Sequence, residues 1–246
     1  MLRVIFFCMF FLLPSGRYAA AQPLETLYFE RPPYYTTLNG QPDGFLLNLA
    51  RDILTLADVP HAFQEMPPGR ILETLKSNSG PACSIGWFRT PERERYAVFS
   101  LPIHQDEPLC AVFLKSGAVP PLEITTLAQL VEHPDLRMGV NQSYVFGYPV
   151  DTLVARMRIP PVSTTSSQAQ LMRMLGARRF DFMLVNPVEI ETLAKLAGIP
   201  MDELYVLPLS DLPKGNLRYL MFSKATSPEV IERINAAIGQ LVKLDG

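Results

Sequence analysis

Residues that carry reactive chemistry are scarce in this chain. Three histidines, three cysteines and a single tryptophan stand among 246 residues, and charged residues make up 19% with a formal balance of −2. His61, His104 and His133 are scattered without ligand spacing, which argues against a metal centre. The thin, evenly mixed and slightly acidic charge provides no electrostatic footprint for nucleic acid. Long hydrophobic runs are missing too. The longest, Val4 to Leu13, has ten residues, about half of what a helix needs to cross a bilayer core.

That short run has its own meaning. Met1-Leu2-Arg3 places a positive charge before it, Pro14-Ser15-Gly16 breaks it, and Ala19-Ala20-Ala21 supplies small residues for cleavage. This is the layout of a secretory signal peptide over residues 1–21, with Gln22 as the first mature residue. Its removal takes away Arg3 and Arg17 but no acid, so the formal charge moves from −2 to −4. Cys83 and Cys110 survive processing. In an oxidising compartment they either form a disulfide or sit as small buried apolar groups, and spacing alone does not decide.

Strand-like and helix-like segments alternate along the mature chain, the signature of α/β architecture with mainly parallel sheets. Strands are expected near 26–30, 61–64 and 82–87, with helices over 45–58 and 70–76 between them. A second unit follows the Gly/Pro-rich loop 116–121, with strands near 136–140, 162 and 181–185. Helices are expected near 150–157, 167–175 and up to Gly198. Ser227-Pro228 reads as the N-cap and first residue of a last helix, whose stripe is Ile231, Ile234, Ile238 and Leu241. Two spare strands, 109–115 and 217–223, flank the second unit. The economical arrangement is two lobes in series, with 22–112 and 218–246 forming the first and 113–217 the second. The chain then crosses twice, and a ligand cleft lies beyond the carboxyl ends of the strands.

The run Ser84-Ile85-Gly86-Trp87-Phe88-Arg89-Thr90-Pro91-Glu92-Arg93-Glu94-Arg95 places three arginines at one strand end. Glu92 and Glu94 can satisfy two of them as surface ion pairs. An arginine at the cleft rim offers a planar fork matched to a carboxylate. Trp87 and the pair Tyr34-Tyr35 either stack on a ligand or pack the strand ends. Arg70, after Met66-Pro67-Pro68-Gly69, reads equally well as a cleft residue or a helix start.

The pattern T-P-E-R followed by F-S-x-P, here Thr90 to Pro102, resembles the extracellular solute-binding proteins of family 3, the amino-acid-binding components of ABC importers. Pro32-Pro33-Tyr34, Gly44-Phe45, Gly139-Val140, Arg179-Phe180-Asp181 and the strand Tyr219 to Lys224 extend the likeness over the whole mature chain. The resemblance implies a two-lobed periplasmic-binding fold of type II with two hinge crossings. It implies a monomer that acts with a membrane permease and needs no cofactor. It places Arg93 where the family holds a ligand carboxylate, with Gly86, Trp87 and Phe88 lining the same pocket. Ser143 falls near the family's Gly-Thr-Thr-like loop, where a hydroxyl and helix-start N–H groups help to hold an anion.

One position departs from the family. Five residues after the Arg-x-Asp aspartate, Asp181, a second aspartate usually binds the ligand's α-ammonium, and here the residue is Asn186. An amide pairs with an ammonium less strongly than a carboxylate does. The expected ligand is therefore a small polar carboxylate-bearing solute that lacks an α-ammonium or has it held by another acid, Glu30 or Glu189. Two other functions share the scaffold. A sensory module would report ligand to a membrane partner, and a dehydratase- or lyase-type enzyme would need a poised acid or base, for which Glu30 is the lone candidate.

Overall fold

A computed structural model describes residues 23–142 and 146–244. The expected leader, 1–21, and Ser143 lie outside the described residues. Among those described, no helix is long and apolar enough to cross a membrane.

The chain begins with strand β1 (Leu24–Tyr28), the small hairpin β2 (Thr36–Leu38) and β3 (Gln41–Asp43), and helix α1 (Phe45–Leu56). Strand β4 (His61–Glu65), helix α2 (Pro68–Ser77), strand β5 (Ala82–Trp87), the short helix α3 (Pro91–Glu94) and strand β6 (Ala97–Gln105) follow. The second half runs β7 (Cys110–Leu114), α4 (Leu127–Glu132), β8 (Met138–Asn141), α5 (Tyr148–Val154), β9 (Val162–Thr164), α6 (Gln168–Gly176) and β10 (Phe182–Val185). After β10 come α7 (Ile190–Ala197), β11 (Leu204–Pro208), β12 (Leu217–Ser223) and α8 (Pro228–Leu241).

Two five-stranded sheets result, in the orders β4-β1-β5-β12-β6 and β11-β7-β10-β8-β9. Each has a parallel half, β4-β1-β5 in one and β10-β8-β9 in the other, extended by antiparallel strands. The parallel halves follow from βαβ crossovers. The antiparallel strands are those that lead the chain out of one sheet and back from the other.

The strand expected to carry the chain out of the first lobe belongs wholly to the second sheet. Cys110–Leu114 is buried along its length and paired on both sides, with β10 and β11. Leu217–Ser223 is likewise paired on both sides, with β5 and β6 of the first sheet. Strands held in two ladders cannot bend without losing them. The crossings are instead the unladdered stretches 106–109 and 209–216. They meet backbone to backbone, because the Asp106 N–H donates to the Asn216 carbonyl at 3.0 Å. A Cβ on Gly215 would lie 2.1 Å from the Asp106 carbonyl oxygen, so only glycine permits this approach.

Each sheet has apolar clusters on both faces. In the first lobe Leu46, Leu47, Ala50, Ile53 and Leu54 of α1 pack with Ile231, Ile234 and Ile238 of α8. The spacing that marked those faces in the sequence is the one that meets here. Ser227 caps α8 by accepting the Val230 N–H, with Pro228 at the first position. In the second lobe Phe113 and Phe182, directly opposite across β7 and β10, stack at 5.2 Å. Cys83 and Cys110 are buried free thiols in separate sheets. Burial pushes each up to about 12, so both are small core residues rather than redox partners.

Candidate ligand-binding cleft

The cleft begins at the end of β5. Gly86 has φ +76°, and a Cβ there would lie 2.0 Å from the Tyr35 hydroxyl, so this position is closed to other residues. The next residue, Trp87, is 8% exposed. Its indole N–H donates to Ser84 Oγ at 2.7 Å, and its ring lies 5.8 Å from Phe29. Beyond Phe88 the chain enters α3 through Thr90, whose hydroxyl accepts the Arg93 N–H at 3.3 Å, with Pro91 at the first helical position. The T-P-E-R motif is thus a capped single turn that sets one arginine back against its own strand.

The three arginines separate cleanly. Arg89 is exposed and pairs with Glu94. Arg95 is exposed, and its carbonyl accepts from Lys224 at 2.7 Å. Arg93 is half-buried, with Nη1 donating to the Phe88 carbonyl at 2.7 Å and its guanidinium 4.8 Å over the Trp87 ring. Burial pulls the Arg93 pKa below its ordinary value, with Tyr96 and Glu92 opposing. It remains a cation at neutral pH and makes no salt bridge to a carboxylate among the described residues.

Gly86, Trp87, Phe88 and Arg93 line a cavity of about 380 Å³ between the two sheets. Asn186 and Glu189 line it from the second lobe. Asn186, buried at the end of β10, caps the following turn by accepting the Val188 N–H on Oδ1 at 3.3 Å. Glu189 accepts the Arg31 fork on both carboxylate oxygens, at 2.9 and 3.0 Å. This pair bridges the lobes, because Arg31 follows β1 and Glu189 follows β10. Gln168, the first residue of α6, also lines the cavity. Its buried Oε1 has no hydrogen-bond partner among the described residues. Asp151 accepts the Phe146 and Gly147 N–H groups, each at 3.1 Å, and so fixes the loop that brings Phe146 to the wall.

Two expected residues are not in the wall. Glu30 points away, accepting from the Thr36 hydroxyl and, at 3.0 Å, the Thr37 N–H. It tethers the β2–β3 hairpin, a local task that removes it as a ligand acid. Tyr34 is fully buried beneath the cleft. Its hydroxyl donates to Asp106 at 3.3 Å, and its ring lies 4.3 Å from the Arg218 guanidinium and 5.2 Å from that of Arg31. Burial raises the Tyr34 pKa and keeps the phenol protonated. Arg70 is exposed and does not line the cavity.

The cleft floor holds an ion pair that the sequence reading did not single out. Arg218 in β12 donates to both oxygens of Asp106, at 2.6 and 2.7 Å, and through Nη1 to the Gly86 carbonyl at 3.1 Å. Its guanidinium lies between the rings of Tyr34 and Phe88. Burial works against the Arg218 charge, yet Tyr35, Asp106 and Tyr34 outweigh it and hold the group above its ordinary pKa. A signal was present in the sequence: Arg218 is the lone charge in the apolar run Leu217 to Phe222. Its partner, 112 residues away, carried no such mark.

The chain matches solved structures of two-lobed binding proteins. An ancestral arginine-binding protein bound to arginine aligns with a TM-score of 0.66 at 19% identity, covering 89% of this chain and 92% of that one. A structure from work on glutathione import through GshT and the cystine ABC importer TcyBC of Streptococcus mutans aligns with 0.66 at 18%, covering 89% of each chain. A histidine kinase sensor domain with similarity to periplasmic binding proteins aligns with 0.66 at 19%, covering 89% and 90%. At such identities the likeness establishes the fold, the type II periplasmic-binding architecture. No curated protein matches the chain. The sequence profile of one family, however, matches residues 28–245, almost the whole of what the structure describes. The chain therefore belongs to the bacterial extracellular solute-binding proteins, family 3.

Proposed function

We propose that this protein is an exported receptor that captures a small carboxylate-bearing solute between its lobes and delivers it to the permease of an ABC importer. Residues 1–21 act as the cleaved leader, which places the mature chain in the periplasm. The observation that carries the reading is Arg93, a half-buried guanidinium on the wall of an inter-lobe cavity with no carboxylate partner among the described residues. Such a fork is a standing demand for an anion, best met by two carboxylate oxygens. Trp87 beneath it fixes the plane of the fork, and Gly86 and Phe88 shape the adjoining wall. Arginine, the ligand of one structural neighbour, carries a carboxylate of this kind.

A binding role also fits the acids of the cavity. Asp106 and Glu189 are each engaged by an arginine fork, so neither stands ready as a general base. The second reading is a sensor that reports ligand to a membrane partner, favoured by the sensor-domain neighbour. The test pairs a thermal-shift screen of mature wild type against Arg93→Ala with solute uptake in cells lacking the gene. Stabilisation by carboxylates only in wild type, with loss of uptake, supports the receptor. Intact uptake with loss of a signalling response selects the sensor. Equal ligand responses in the two proteins would overturn Arg93 as the anchor.

A further inference from the structure

The cavity wall says more about the solute than its charge. Phe29 and Trp87 face it from the first lobe, and Phe146, Val150, Leu184 and Leu212 from the second half of the chain. Around this apolar girdle stand four cationic side chains, Arg31, Arg93, Lys214 and Arg218, against three carboxylates. Of those, Asp106 and Glu189 are buried and already bidentate with Arg218 and Arg31, and Glu107 is exposed. Residues 143–145 read Ser-Tyr-Val and bring no acid. Asn186 spends its carbonyl oxygen on the Val188 N–H, so what its amide has left to offer is chiefly a donor.

An ammonium entering this space would be stripped of water beside several cations, with both buried carboxylates of the described wall already neutralised by an arginine. A buried charge without a partner is strongly disfavoured. Gln168 lines the cavity, with its Oε1 buried; a neutral amide compensates little of an ammonium's lost hydration, and it serves a hydroxyl equally well. We infer that the natural solute is a carboxylate with an apolar, aromatic or branched body and no α-ammonium group, one whose α-substituent is a hydrogen, a hydroxyl or a keto oxygen. The inference rests on the carboxylate-receptor reading and narrows it. Arg93 takes the acid, Asn186 and Gln168 meet the α-substituent, and the rings and aliphatic groups enclose the body, in a volume within the usual range of small-molecule sites.

Calorimetric titration of the mature wild-type protein with matched probes tests this. L-3-phenyllactate, 3-phenylpropanoate and L-phenylalanine share a skeleton and differ only at the α-carbon, and glycolate lacks the body. Expected is saturable binding of the first two, with phenylalanine weaker by roughly ten- to a hundredfold, the worth of a charged group left unpaired, and glycolate weaker still. Asn186→Asp, which preserves the turn cap, should narrow the gap between phenyllactate and phenylalanine. Phenylalanine, arginine or glutamine binding as tightly as phenyllactate would overturn the inference while leaving a carboxylate receptor in place. Glycolate binding as tightly as phenyllactate would overturn the apolar-body half. Binding of a neutral sugar with no response to any acid would overturn both the inference and the reading beneath it.

Discussion

The two walls of the cleft are built on the same sheet plan and differ in what they hold fast. The first-lobe wall is braced: Trp87 is tied to Ser84, Arg93 to Phe88, and Arg218 to Asp106 and Gly86. The second-lobe wall is made of loop and helix starts, with Phe146, Gly147, Pro149 and Val150, one capping amide and an unpartnered glutamine oxygen. A braced surface keeps its donors aimed before ligand arrives, and one carried on loops and helix starts can close over what is already held. On the proposed carboxylate-receptor reading, charge recognition falls to the first lobe, and enclosure and the choice of α-substituent to the second.

The sharpest way to break that contrast is to unbrace the first wall. Asp106→Ala leaves the Arg218 charge buried without its partner, and should cost about 3–5 kcal/mol of stability by denaturant unfolding. Asp106→Ala with Arg218→Met removes both charges and should recover much of the loss. A single variant as stable as wild type would show that the pair braces nothing. Next in size, Arg93→Lys keeps charge but loses the fork, and should weaken carboxylate binding by about 1.5–3 kcal/mol with little effect on unfolding. The same change at Arg89 or Arg95 should leave affinity unaltered within error.

Glu189→Gln disturbs the contact between the walls instead. It removes the charged half of the bridge to Arg31, and should weaken ligand affinity by about 1 kcal/mol. It should also enlarge the radius of gyration of the ligand-free protein in small-angle scattering, while saturating ligand restores compaction. An unchanged radius in both states would count against a closing role for the bridge. The smallest effect expected is at His104, packed near Asp106, Arg218 and Glu107. Burial holds its pKa below the ordinary 6.5, with Asp106 partly opposing. As pH falls through 6.5 the unfolded chain takes up this proton first, so the native state loses stability until the folded pKa is passed. His104→Gln should flatten the stability profile below the ordinary 6.5, and an identical profile would remove His104 from the account.

Much of the architecture was readable because it rests on local signals. Period-two and period-3.6 patterns, the Ser227-Pro228 cap and the Gly198 stop each report on neighbours in sequence, and the elements appear where those signals put them. The crossings were misread by a few residues for a physical reason. An apolar strand looks the same whether it lies in one sheet or leads from one to another, and only the pairing partners of Cys110–Leu114 distinguish the cases. In the cleft, Arg93 was picked out by the T-P-E-R likeness, and the structure sets it on the cavity wall. Glu30 was overvalued because nothing in the sequence shows that Thr36 and Thr37 occupy it. Arg218 and Asp106 depend on a contact spanning 112 positions, which no local pattern encodes.

The join between the two crossings has a mechanical consequence. Asp106 binds Arg218 through its side chain and Asn216 through its backbone, and Gln105 reaches the Gly215 carbonyl at 3.2 Å. The outgoing and returning segments are thereby spliced, and neither can slide along the other without tearing several bonds at once. On the receptor reading, the motion left to the lobes is rotation about a line through the splice, like that of a gate on a single post. Points beside the post scarcely travel, while the outer rims sweep the widest arc. A solute that lands on the stationary floor keeps its first contacts throughout the swing, and the contacts added last, at the rims, are the first to be released when the gate reopens.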